Sequence, residues 1–181
     1  MRLLTLFFLS VFAFNLFAQN EILTYEKTGE KILVGVCNES DFTDNPDFSK
    51  WFELGYKNYK PKFFNFEFDK ERISKLKIKI VLGTWCPDSR REFPRFLKIL
   101  DSLAFPRENL QIICVDRNKH ALHGEASGLR IIRVPTFIFF DGEHEIGRIV
   151  ETPKGETLED DLEAILLSHA PQAETKKDTT K

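Results

Sequence analysis

The residue best placed for chemistry is Cys86, in the run TWCPDSRREFP. It follows the apolar, β-branched stretch IKIVLG and precedes a segment whose apolar residues recur at helical spacing, so it falls at a strand-to-helix turn. The first N–H groups of a helix lack intrahelical partners and form the positive end of its dipole. A thiol placed there is stabilised as the thiolate, which is the nucleophilic form. Arg90 and Arg91, in the first helical turn, add positive potential, whereas Asp88 opposes a thiolate unless it caps the helix. Thr84 and Trp85 precede the cysteine, Trp85 as an apolar shoulder, and Pro87 suits the first turn because its missing N–H would be unpaired there anyway. The competing reading of Cys86 is a buried, inert thiol; its position and Trp85 favour reactivity.

Other residues with chemistry weigh less. Cys114, between Ile112, Ile113 and Val115, reads as core. Cys37 ends the apolar run ILVGVC beside a polar turn, and core and redox roles stand equal there. His120, His123 and Glu125 are too few for a metal, which needs three or four convergent donors. Asp116-Arg117 reads as a loop-anchoring ion pair. The sequence has no phosphate-binding glycine loop, serine elbow or haem motif, so no metal and no cofactor is expected.

The elements that must position Cys86 follow from periodicity. IKIVLGTW is a buried strand, and Phe93, Phe96, Leu97, Leu100 and Leu103 form one face of a helix ending near Phe105-Pro106. LQIICVD is a second strand, RVPTFIFFDG a third running into an Asp-Gly turn, EIGRIVE a fourth, and LEDDLEAILLS a closing helix with an acidic, dipole-favourable start. The order is β-α-β-loop-β-β-α over residues 73–168, an α/β domain. Residues 19–72 form an aromatic N-terminal extension. Trp51, Phe52, Leu54, Tyr56, Tyr59, Phe63, Phe64, Phe66 and Phe68 are too many for a solvated linker, so it is expected to pack on the core. Residues 169–181 are polar and read as a disordered tail.

WCPDS with Pro94, then VPTFIFFDG and the closing helix, resembles the thioredoxin family over about residues 73–168. The resemblance implies a thioredoxin fold, a central mixed β-sheet flanked by helices. It places Cys86 on the attacking cysteine, Trp85 on the preceding tryptophan, Pro94 on the helix-kinking proline, and Pro135 on the cis-proline beside the active-site sulfur. Val134 then presents its backbone to a bound peptide. More narrowly, GTWCPDSRREFPRF with VDR and GRIVE resembles exported thioredoxin-like proteins of Bacteroidetes-type bacteria. Two departures matter. Ser89 stands where the second cysteine of C-x-x-C would be, giving a monothiol C-x-x-S turn, and Ile80 stands where a buried acid is often found six residues before the cysteine. In monothiol relatives such a serine hydroxyl can donate to the thiolate. A peroxiredoxin-type peroxidase is disfavoured because Thr84 stands two residues before Cys86 where that family has three.

The first eighteen residues carry Arg2 and then an almost wholly apolar run ending at Ala18, the layout of a secretory leader. The run is short of the ~20 residues that span a bilayer, so cleavage after Ala18 is favoured; an uncleaved leader is the one route to membrane attachment. The expected location is the periplasm, the cell envelope or the exterior. Disulfides persist there, and an odd count of three cysteines leaves at least one thiol free or paired with another molecule. A net charge of −2 supplies no field for nucleic acid. The sequence thus points to thiol–disulfide exchange through Cys86, by a mixed disulfide with a protein or small-molecule thiol or disulfide. Cys37 is the candidate resolving thiol if the extension folds over the site. The rival is a redox-inactive binding module holding a peptide or protein partner in the groove near Pro135.

Overall fold

The computed structural model describes residues 20–62 and 70–169. The leader, the four phenylalanines from Phe63 to Phe68 and the polar tail from residue 170 lie outside them. The chain runs β1 (Asn20–Thr24), β2 (Lys31–Cys37), α1 (Ser40–Thr43), α2 (Ser49–Asn58), α3 (Lys70–Lys75), β3 (Lys77–Leu82) and α4 (Pro87–Ser102). Then come β4 (Leu110–Cys114), β5 (Thr136–Asp141), β6 (His144–Val150) and α5 (Leu158–Ser168). From β3 onward this is the β-α-β-loop-β-β-α order of the sequence reading.

The six strands form one mixed sheet in the order β1-β2-β4-β3-β5-β6. Only β3 and β4 pair in parallel, as a βαβ crossover through α4 requires; every other pair is antiparallel. The sheet has two buried faces, and strand alternation sorts residues between them. Ile78, Ile80 and Leu82 of β3 and Phe137 and Phe139 of β5 join α2, α4 and α5 in the larger core. Val81 and Ile113 face the other side, where they pack with Val115, Ala126 and Val134 of the β4–β5 connection.

The extension does more than pack on the core. Its hairpin β1–β2 supplies two of the six strands, β2 pairing with β4 as Gly35↔Cys114, Val36↔Ile113 and Cys37↔Ile112. Its α2 lays Phe52 on Phe93 of α4, with Phe42 between helices at 4.8 Å from the Phe93 ring centre. Gly55 is required at this crossing, since a Cβ there would lie 2.6 Å from Pro94 Cγ. Helix α4 stops three residues before the Phe105-Pro106 pair. Ala104 turns left-handed at φ 53°, its N–H donates to Asp101 O, and the Phe105 N–H donates to Leu100 O at 2.9 Å, a Schellman end.

Candidate functional site

Cys86 is the N-cap residue of α4, in extended conformation, with Pro87 opening the first turn. Its N–H donates to Gly83 O at 2.9 Å and its carbonyl accepts from Arg90 N at 3.0 Å, which closes the strand-to-helix turn. The side chain is 8% exposed, and Sγ donates to Val134 O at 3.1 Å. The Val134–Pro135 peptide bond is cis. β5 begins directly after it, so the start of that strand fixes the carbonyl facing the sulfur.

Around the thiol each neighbour is committed. Ser89 is fully buried one helical turn on, and its Oγ accepts from the Gly83 N–H at 3.2 Å; no hydrogen bond joins it to Cys86. Thr84, also fully buried, accepts from the Leu33 N–H of β2 at 3.0 Å. Trp85 lies across Gly83, where a Cβ would sit 2.5 Å from the indole, and its Nε1 donates to Val115 O at 2.9 Å. Asp88 does not cap the helix; it pairs with Arg91 at 2.7 Å. The hydrogen bond from Arg91 to the buried Glu92 holds the guanidinium more firmly protonated than usual. Arg90 Nε donates to Thr84 O, and its Nη2 lies 3.7 Å from Glu30. The positive potential expected of these arginines is therefore shared with three carboxylates, Asp88, Glu92 and Glu30.

Cys37 is placed elsewhere. It is buried in β2 on the helix-covered face with Cys114, whereas Cys86 packs with Val81, Ile113 and Val134 on the other face. Burial pushes the Cys114 thiol well up, and the Cys37 thiol beside it adds to that. The sheet therefore lies between Cys37 and Cys86, while the extension's hairpin joins that sheet and its Leu33 N–H reaches Thr84. Asp116 and Arg117 do not pair with each other either. Asp116 accepts from the N–H groups of Asn118 and His120, while Arg117 reaches back to Glu30 at 2.5 Å. His123 and Glu125 meet through the His123 N–H, and among the described residues no three His, Cys, Asp or Glu side chains converge.

A βαβ unit and a ββα unit on one mixed sheet, with a cysteine heading the first helix and Pro135 opening the opposing strand, make this a thioredoxin-like α/β fold. Solved thioredoxins are among the similar structures. Thioredoxin O2 of Arabidopsis thaliana is 20% identical over 54% of this chain and 77% of its own, with a TM-score of 0.36. Thioredoxin of Fasciola hepatica is 18% identical over 55% and 85%, with a TM-score of 0.37. A Pseudomonas aeruginosa protein of unknown function is 19% identical over 66% and 70%, with a TM-score of 0.37. At these values the fold rests on the strand order and not on the likeness. No family model and no curated protein matches the sequence.

Proposed function

We propose that this protein carries out thiol–disulfide exchange as a monothiol, with Cys86 as nucleophile, in the cell envelope. The observation that carries the reading is the place of Cys86, the N-cap residue that heads α4 and lies beside the cis Val134–Pro135 bond. The Cys86 thiol loses its proton to solvent. The thiolate attacks one sulfur of a substrate disulfide, forms the mixed disulfide and expels the other sulfur as a thiolate, which takes up a proton. Ser89 cannot complete the cycle, because a hydroxyl does not break a mixed disulfide. Release then falls to a second thiol of the substrate, which yields a rearranged disulfide, or to a small-molecule thiol, which yields a reduced substrate. The apolar leader supports export to a compartment where disulfides persist. Protein or small-molecule thiols and disulfides are the fitting partners.

Slow release predicts trapping. Cells quenched with acid and an alkylating agent should show high-mass adducts of wild-type protein on non-reducing gels, absent in Cys86→Ser. Wild-type protein without adducts would overturn the reading. Two observations favour the rival, a binding module: Cys86 is only 8% exposed, and Ile80 fills the site of the usual buried acid. A Cys86 that resists alkylation in the native state would support it.

A further inference from the structure

The two residues before Cys86 are held by the N-terminal hairpin, outside the segment that carries the thioredoxin-like motifs. Glu30 ends the β1–β2 turn, whose Tyr25 N–H donates to the Glu30 carbonyl at 2.9 Å. Its carboxylate divides between two guanidinium groups, with Oε2 2.5 Å from Arg117 Nη2 and Oε1 3.7 Å from Arg90 Nη2. Each arginine continues to the catalytic turn. Arg90 bonds the Thr84 carbonyl, and the Arg117 guanidinium lies over the Trp85 ring at 5.1 Å and over the Tyr25 ring at 5.6 Å. Three residues past Glu30, the Leu33 N–H donates to Thr84 Oγ1. One carboxylate thus ties both Thr84 and Trp85 to the hairpin.

We propose that Glu30 is a positioning residue for the Cys86 turn, acting through Arg117 on Trp85 and through Arg90 on Thr84. Without the carboxylate, Arg117 loses the charge that holds it over Tyr25 and Trp85. Arg90 is then free to leave the Thr84 carbonyl. Trp85 keeps its Nε1 bond to Val115 but loses the cation packed on its face, so the indole samples other positions over Gly83 and the wall beside the sulfur opens. The inference rests on the exchange reading for its catalytic meaning, but not for its test.

Trp51 and Trp85 are the two tryptophans, so a Trp51→Phe background leaves Trp85 as the sole emitter. In that full-length background, Glu30→Gln should raise acrylamide quenching of Trp85 and change the rate of Cys86 alkylation by iodoacetamide. Loss of a partly exposed cation–π contact corresponds to about two- to fivefold in the quenching-competent population. The control Lys31→Gln, which removes the neighbouring surface pair with Asp47, should move neither. Quenching equal to that of the parent would overturn the proposal, as would quenching that rises with no change in alkylation. If Glu30→Gln does not fold, Arg117→Lys, which keeps the charge and loses the planar guanidinium, replaces it with the same two outcomes. A protein whose Trp85 responds but which never exchanges a disulfide would refute the function proposed above and leave the positioning role standing.

Discussion

Replacing Ser89 by cysteine tests directly whether release limits the site. The position is fully buried, one helical turn beyond Cys86, and its Oγ accepts the Gly83 N–H. Sulfur accepts poorly, so Ser89→Cys weakens that bond at a cost of about 0.5–1.5 kcal/mol. For a chain of this size each kcal/mol lowers Tm by roughly 2–4 °C, so the variant should remain folded. The gain comes from making release intramolecular. Loosely tethered groups already have effective concentrations in the millimolar range, so against about 0.1 mM external thiol the new thiol should speed release by at least about tenfold. The assay is turbidimetric insulin reduction with a dithiol supply, run beside wild type and Cys86→Ser. A folded Ser89→Cys variant that still alkylates at Cys86 and reduces insulin no faster would refute the reasoning, since the missing thiol would then not be what holds the reaction back.

Two further expectations concern the scaffold. Burial first, then the hydrogen bond to Asp101, raises Tyr56 to about 12; the neutral form is favoured in the folded state, so its contribution to stability is complete below pH 10 and is lost as pH rises through about 12. An ultraviolet titration of Tyr56→Phe should therefore lack an ionisation step near 12, and a wild-type titration complete well below that pH would contradict the burial argument. Gly55→Ala should destabilise by about 1–3 kcal/mol despite alanine's better helix propensity, because the added Cβ meets the Pro94 ring at 2.6 Å. Denaturant unfolding reads the sign, and a stabilised variant would mean that α2 shifts freely on α4.

Residues 77–168 were legible because their signals are local. IKIVL, LQIIC and TFIFF are apolar runs of strand length, and Phe93, Phe96, Leu97 and Leu100 repeat at helical spacing. The β1 strand was not legible, since four of its five residues are exposed and leave no alternation to read. Cys37 shows a different limit. In ILVGVC nearly every residue is apolar, so neither face is marked, and only the pairing of Cys37 with Ile112 decides which side of the sheet its sulfur joins. At the site, Cys86 and Trp85 stand out by type and by their place at the strand-to-helix turn, whereas Ser89 and Pro135 are marked by the resemblance to the thioredoxin family. Glu30 and Arg117 carry neither signal. They lie 87 residues apart and meet only because β2 docks on β4.

The docking of β2 on β4 also has a consequence for solubility. Ile112, Ile113 and Cys114 of β4 are 4%, 0% and 0% exposed, and their backbone is paired on one side by β3 and on the other by β2. Stripped of the hairpin, β4 would become a bare, uncharged sheet edge, the kind of template on which a second chain adds a strand and aggregation begins. The border is instead β1, only five residues long and carrying the charge of Glu21 beside its exposed Ile22 and Leu23. The hairpin therefore guards the sheet against self-templating, and the smallest fragment that stays dispersed must start ahead of β1 and not at residue 73.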